Sequence, residues 1–402
     1  MKYPLLKKLK LRRFKNFEEA ELILGPLNVL IGTNASGKSN IRDAFRFLHG
    51  ISRGYNLAEI MGEKHVEGGV LQWSGIRGGI RKSTYLQADT FILTIEFTNT
   101  YETTTTYSIE TEPGTGIGKP RVVKEFLCVD DMKIFDYAPP DIESLGLNIR
   151  PATPYQPLLT LIAEQQDRQA QTSIDCARET VSVINSMRFF DLNSDALCRP
   201  SFSGQTIFGD RGENLSSVLQ TICEDPHMKK ALIEWMRELT PMDASDFKFI
   251  PDQTGRILLT LVEENGQETL AYSASEGTLR FLATISAILG PERFYFFEEL
   301  ESGLHPARLY LLLQIMEQKA HEEGIQIVAT THSPQLLRFL NKKTIEHASL
   351  IYRLPGTPEG RIMHIADIPD AQRLMEEQDI AELHGSGWFE DAMFFTDDAE
   401  EI

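Results

Sequence analysis

The chain has 402 residues, 42% hydrophobic and 24% charged with no low-complexity tract, so two packed lobes or domains of a globular protein are expected. No apolar run reaches the roughly 20 residues of a membrane span, Met1–Lys8 lacks the apolar stretch of a secretory signal, and the four cysteines (Cys128, Cys176, Cys198, Cys223) form no C-x-x-C pair, which points to a cytoplasmic protein without membrane, disulfide or zinc framework. The net charge of −18 is uneven: residues 1–90 hold 15 Lys and Arg against 8 Asp and Glu, leaving 25 against 50 in the remainder, a balance that disfavours a generic binder of nucleic-acid backbone.

Residues 5–24 alternate apolar and polar (Leu9, Leu11, Phe14, Phe17, then Leu22-Ile23-Leu24), as half-buried strands do. The cationic positions among them, Lys7, Lys8, Lys10, Arg12, Arg13 and Lys15, read as the solvated side of an edge strand, with a local basic surface as the other reading. Gly25-Pro26 turns the chain into the apolar run Val29-Leu30-Ile31, which stops at Gly32. Gly37-Lys38-Ser39 then opens a helical stretch from Asn40 to Leu48. Residues 50–82 are glycine-rich and read as loop with short elements. Runs at 91–97, 102–110 and 121–127 read as an antiparallel meander. Composition shifts between Pro139-Pro140 and Pro157, and 158–190 and 214–240 become helical. Strands on either side of Asn265-Gly266, 257–262 and 269–272, predict a hairpin. The strand Phe294–Phe297, a helix over about 306–322 and the strand Ile325–Thr330 then close an alternating α/β pattern, and 396–402 is an acidic tail. The expected organisation is an N-terminal lobe (1–150), a helical insertion (151–245), a C-terminal lobe (246–366), and a C-terminal helix and tail (367–402).

Four stretches carry chemistry. Gly32-Thr33-Asn34-Ala35-Ser36-Gly37-Lys38-Ser39 is a G-x-x-x-x-G-K-[ST] phosphate loop in strand–loop–helix context, which a chance glycine-rich turn would lack. Its glycines let successive N–H groups curl inward at phosphate oxygens ahead of the helix N-terminus. Lys38 brings charge to the β/γ-phosphates, and the Ser39 hydroxyl is placed for Mg²⁺. Ser275-Glu276-Gly277-Thr278 puts a hydroxyl and a glycine at a second helix N-terminus, which alone is an ordinary N-cap. Glu298-Glu299 ends an apolar strand, where one carboxylate can orient metal-bound water and the next can polarise the attacking water. Thr330-Thr331-His332-Ser333-Pro334 ends another strand with a histidine. Singly, a charged strand end or a structural histidine is the plainer reading; their order along the chain is what decides.

That order and wording resemble ABC-type ATPase heads, specifically the RecF/SMC-like branch of AAA-type ATPases: an α/β P-loop head with an antiparallel β lobe and a helical insertion. Gly32–Ser39 with the trailing Asn40 is similar to that branch's Walker A, and Ser275–Arg280 to its signature motif. Glu298-Glu299-Leu300-Glu301-Ser302-Gly303-Leu304-His305-Pro306 is similar to its Walker B and D-loop, and Thr330–Pro334 to its histidine switch. The resemblance spans about Leu9 to Leu340. It implies ATP and Mg²⁺ as cofactors, with Gly32, Asn34, Ala35, Ser36, Gly37, Lys38, Ser39 and Asn40 around the phosphates. It further implies Ser39 and Glu298 at the metal, Glu299 as catalytic base and His332 as γ-phosphate sensor. Ser275 and Gly277 would contact ATP held by a second copy in a homodimer. The usual Asp of this branch is Glu298 here, and no glutamine-loop residue stands out, Gln72 and Gln156 both being weak candidates.

Three functions follow from the resemblance: an ATP hydrolase acting on DNA, a nucleotide-gated switch for a protein effector as in phage defence, and, less well matched, a transporter's ATP-binding subunit. An ATP-binding scaffold with little turnover is the plain alternative. After Pro334 the residues Asp367, Asp370 and Asp379 lack a strand-end Asp-x-Asp, so any nuclease is expected on a partner, and the acidic charge favours a protein partner over bare DNA. No membrane partner is expected.

Overall fold

The computed structural model describes residues 3–114, 118–144, 149, 151–239 and 244–368. The described residues divide into two compact units, one formed by 3–187 with 343–368 and the other by 188–342. The predicted C-terminal helix beyond Ile368, Asp370, Asp379 and the acidic tail lie outside the described residues.

The first unit holds a seven-stranded antiparallel sheet in the order Asp141–Ser144, Met132–Ala138, Arg121–Val129, Thr104–Glu112, Phe91–Thr98, Leu5–Phe14, Phe17–Ile23. The predicted meander is its middle. Alternation is strict in Phe91–Thr98, where Phe91, Leu93, Ile95 and Phe97 are all fully buried, so one face packs and the other is solvated. Leu5–Phe14 is not an edge strand: it is hydrogen-bonded on both sides, to Phe17–Ile23 and to Phe91–Thr98. Its cations are matched across the strands, Lys8 to Glu21, Lys10 to Glu96 and Arg13 to Glu110, while Lys15 is buried against Asp43. Pairing on both sides corrects the edge-strand reading, and four of the six cations are matched, Lys7 and Arg12 staying exposed.

A buried carboxylate ties this sheet to a helix of the same unit. Glu125 accepts hydrogen bonds from the Tyr107 hydroxyl (2.9 Å) and from the backbone N–H groups of Leu158 (2.6 Å) and Leu159 (2.9 Å), the first residues of the helix Leu158–Ala163. Burial pushes its pKa up to about 7 although all three hydrogen bonds favour the charged form.

The same unit carries the strand Leu27–Ile31, buried at all five residues and parallel to Ala348–Tyr352, which pairs antiparallel with Arg361–His364. A continuous apolar run of this kind belongs to a strand covered on both faces. Helices Lys38–Ser52 and Gln171–Asn185 follow in the chain, the former with an apolar face of Ile41, Ala44, Phe45, Leu48 and Ile51.

In the second unit Phe294–Phe297 runs parallel to Gln326–Thr331. Beside Phe294–Phe297 lies Met187–Phe190, which had read as the end of a helical stretch. The helix stops at Asn185 because the next segment is aromatic: Phe190 stacks on Phe297 at 5.1 Å, and Phe189 lies 6.3 Å from Phe296. A smaller sheet pairs Arg256–Glu263 with Ala244–Pro251, Ser201–Phe202 and Glu268–Leu270. Its Asn265-Gly266 hairpin is as expected, with Gly266 at φ +82, but the return strand ends at Leu270 and Ala271–Ser273 is a short 3-10 turn. The longer helices of the unit are Leu215–Cys223, Pro226–Leu239, Glu276–Ile288 and Pro306–Glu323. Among the described residues no helix is long and apolar enough to cross a membrane.

Candidate nucleotide site

In the first unit, Leu27–Ile31 delivers the chain to Gly32, and the loop runs into the helix Lys38–Ser52. Gly32 is required by contact: a Cβ there would sit 2.1 Å from the Ile351 carbonyl oxygen and 2.8 Å from Ser36 Oγ. Gly37 has φ +129, and a Cβ would meet Asn16 Nδ2 and the Phe17 ring, each at 2.8 Å. Between them Ala35 takes φ +65, a left-handed conformation unusual for a residue with a side chain. The Lys38 ammonium folds back over the loop and donates to the carbonyls of Gly32 (2.5 Å) and Thr33 (2.9 Å). Thr33, Asn34 and Ala35 are exposed, Ser36 and Gly37 are buried, and Lys38, Ser39 and Asn40 are half-buried. Ser36 Oγ is buried without a hydrogen-bond partner. A backbone curl with no room for a Cβ at Gly32 or Gly37, an unsatisfied hydroxyl and an ammonium at its rim fit a phosphate chain.

The loop is fastened by a residue that spacing alone does not reveal. Asn16, at the turn between Leu5–Phe14 and Phe17–Ile23, donates from Nδ2 to the Ser36 carbonyl (2.9 Å) and accepts at Oδ1 from Asn40 Nδ2 (2.6 Å). Its own carbonyl accepts from Gly360 N (2.6 Å), and a Cβ on Gly360 would come 2.2 Å from Asn16 Nδ2. The trailing Asn40 thus has a partner inside the protein. The only sequence signal for Asn16 is a polar residue at a strand-to-strand turn.

The second unit carries the other motifs. Glu298 is half-buried at the end of Phe294–Phe297, its N–H donating to the Phe190 carbonyl (2.9 Å). Glu299 is exposed with φ +48, a strained conformation for glutamate. Thr330 holds it there: Glu299 N donates to Thr330 Oγ1 (3.0 Å) and Leu300 N to the Thr330 carbonyl (3.2 Å). Two residues on, Glu301 Oε1 accepts from His332 N (3.0 Å) and lies 3.7 Å from His332 Nδ1. The double-carboxylate turn and the histidine turn are therefore one hydrogen-bonded assembly, with His332 exposed.

Ser275 is the N-cap of Glu276–Ile288; its Oγ accepts from Thr278 N (3.2 Å) and contacts Thr278 Oγ1 (2.7 Å). Gly277 is needed because a Cβ would come 2.5 Å from the Gly303 carbonyl and 3.0 Å from Arg308 Nη1. Glu276 accepts from the Ser194 hydroxyl and from Arg280 Nε (2.8 Å), and these hold its carboxyl below the usual range. His305 caps Pro306–Glu323 through Nδ1, with Pro306 in the first turn, where its missing N–H costs nothing. Gln72 is exposed on the short strand Val70–Trp73, and Gln156 lies in a turn whose N–H donates to Thr153 O. Among the described residues neither is hydrogen-bonded to the motif residues above.

Residues 27–134 and 176–338, well over half of the chain, match the family described as "AAA domain, putative AbiEii toxin, Type IV TA system". No curated protein matches the sequence. Among solved structures, an Smc head bound to the C-winged helix domain of ScpA is similar with a TM-score of 0.51 at 12% identity, over 89% of this chain and 97% of that one. An SMC head domain from Thermotoga maritima matches with TM-score 0.43 and 13% identity over 91% and 99%. An Smc head with an extended coiled coil, bound to the C-terminal domain of ScpA derived from Pyrococcus furiosus, matches with 0.48 and 13% over 93% and 99%. The chain has the fold of an SMC-type head, and with a family match that takes in all four motifs it belongs to the AAA domain family.

Proposed function

We propose that the protein binds and hydrolyses Mg-ATP and uses the nucleotide to pair two copies, acting as a switch for a protein effector. The observation that carries this reading is the phosphate loop: a curl that admits no Cβ at Gly32 or Gly37, around an unsatisfied Ser36 hydroxyl, with the Lys38 ammonium at its rim and a helix N-terminus behind it. Ser39 and Glu298 would hold Mg²⁺, which when bound neutralises charge on the β- and γ-phosphates. In this reading Glu299 takes a proton from the attacking water, His332 reads the γ-phosphate, and Ser275 and Gly277 contact nucleotide on the second copy. The strain at Glu299, maintained by Thr330, supports a chemical role for that carboxylate. Glu298, one methylene longer than aspartate, suits a slow switch as well as a rapid hydrolase.

A protein effector is favoured over DNA because the N-terminal cations are matched to Glu21, Glu96 and Glu110. A family description that includes a toxin accords with control of an effector, in defence or in repair. The test is steady-state ATP turnover with Lys38→Ala and Glu299→Gln. Lys38→Ala should lose ATP binding. Glu299→Gln should bind ATP, turn it over at least tenfold more slowly and accumulate as dimer in size-exclusion chromatography. Wild-type turnover by Glu299→Gln would remove the base from this account.

A further inference from the structure

The signature turn carries a cation that the motif reading did not include. Arg308 lies in the first turn of Pro306–Glu323, and its guanidinium packs against the other end of the motif: Nη1 is 3.5 Å from Ser275 Oγ and would be 3.0 Å from a Cβ on Gly277. Several other cations of this unit have carboxylate partners: Arg188 with Asp210, Lys229 with Asp246, Arg237 with Glu264, Lys248 with Glu268, Lys319 with Glu323, while Arg199 bonds the Asp195 carbonyl and Arg256 lies over the Phe202 ring. Arg280, on the same turn as Ser275, is neutralised by Glu276. Among the described residues Arg308 pairs with no carboxylate, and burial alone lowers its pKa. A half-buried guanidinium without a carboxylate keeps its donor fork available to an incoming anion. The one acid on the turn, Glu276, is already committed to Arg280 and Ser194. Arg308 and the N-terminal N–H groups of Glu276–Ile288 therefore present a net positive point around the Ser275 hydroxyl.

We propose that Arg308 is a catalytic residue supplied in trans: when two copies pair, its guanidinium, beside Ser275, binds the γ-phosphate oxygens of ATP held by the other copy and stabilises the charge that develops there. This rests on the pairing set out under the proposed function. Planar, multidentate donors suit phosphate oxygens, and an arginine entering from a second subunit is a strong lever on phosphoryl transfer. Gly277 is a glycine in part because Arg308 and the Gly303 carbonyl lie this close to the signature turn.

The test uses Arg308→Ala and Arg308→Lys in the full chain. Both should bind Mg-ATP with the wild-type Kd, read by titration at a concentration where the protein is monomeric. Arg308→Ala should lose at least tenfold in kcat, with Arg308→Lys in between because it keeps charge without the fork. The decisive experiment mixes Arg308→Ala with Glu299→Gln, two variants that each bind ATP and turn it over slowly. In a mixed pair, one site combines the intact Glu299 of the first copy with the intact Arg308 of the second. Turnover should then rise above the sum of the separate variants, toward about a quarter of wild type for random pairing of a two-fold dimer. Wild-type kcat for Arg308→Ala, or no gain on mixing while the two variants do pair, overturns the proposal alone. A Glu299→Gln protein that stays monomeric with ATP overturns the pairing, and the trans role with it.

Discussion

Glu125 shows how a single buried group can set a pH dependence. Its carboxyl faces the Tyr107 hydroxyl and two backbone N–H groups, and no cation contributes to its pKa. Tyr107 itself is pushed well above its ordinary value by burial and so stays a neutral donor. With a folded pKa of about 7 against an ordinary 4.5, the folded protein holds this proton more tightly than the unfolded chain. The resulting stabilisation is complete below the unfolded value and is lost as pH rises through 7, by roughly 3 kcal/mol at most. Glu125→Gln has nothing to ionise, so its melting temperature relative to wild type should climb between pH 5 and pH 8. Thermal melts across that range decide the matter; parallel curves would show that Glu125 is already ionised or that the helix start does not depend on it. Thr330 is the counterpart at the candidate site, where one hydroxyl maintains an otherwise unfavourable backbone at Glu299.

At the scale of elements, the phosphate loop depends on a turn far from it in sequence. Asn16 bridges the Ser36 carbonyl and the Asn40 amide, and it is itself held by Gly360 N. Asn16→Ala removes two side-chain hydrogen bonds at about 1 kcal/mol each and should weaken ATP binding by roughly tenfold or more without touching nucleotide. Asn16→Asp keeps the acceptor for Asn40 but loses the donor to Ser36, so it should not restore affinity. Calorimetric titration with Mg-ATP separates the two, and wild-type Kd for Asn16→Ala would show that the loop holds its shape unaided. This clamp also marks the limit of sequence reading. The loop, the Asn265-Gly266 hairpin and the parallel strands were legible because glycine spacing and apolar periodicity act over a few residues. Met187–Phe190 was not, because its strand character comes from stacking on Phe296 and Phe297, more than a hundred residues away. The position of Leu5–Phe14 inside its sheet is likewise set by Phe91–Thr98, and a strand's own alternation is the same at an edge or next to one. The roles of Asn16, Glu301 and Arg308 are hidden from the sequence for the same reason: each acts through a contact of long sequence separation.

For the whole molecule, charge decides between partners. Backbone binding to DNA needs several Lys or Arg free to displace counterions, and affinity then falls steeply with salt. The best concentration of cations, along Leu5–Phe14 and its turn, is instead spent on Glu21, Glu96, Glu110 and Asp43, in a chain of net charge −18. Cross-strand pairs of this kind are individually weak, near 0.5 kcal/mol when exposed, so they do little for stability. Their consequence is electrostatic: among the described residues only the exposed Lys7 and Arg12 of the six cations keep no carboxylate partner, too few for strong counterion release from a phosphate backbone. ATP turnover should therefore change by less than about twofold when duplex DNA is added at physiological salt, and DNA binding should be no tighter than the non-specific range of about 10⁻⁴–10⁻⁶ M. Removing the partners tests the cause. Glu21→Gln with Glu96→Gln frees Lys8 and Lys10, and this double variant should gain salt-sensitive DNA binding, measured by fluorescence anisotropy between about 50 and 200 mM salt. Strong stimulation of the wild-type protein by DNA would mean that another surface supplies the cations, and the effector sought would then be one that works on DNA rather than a protein bound directly.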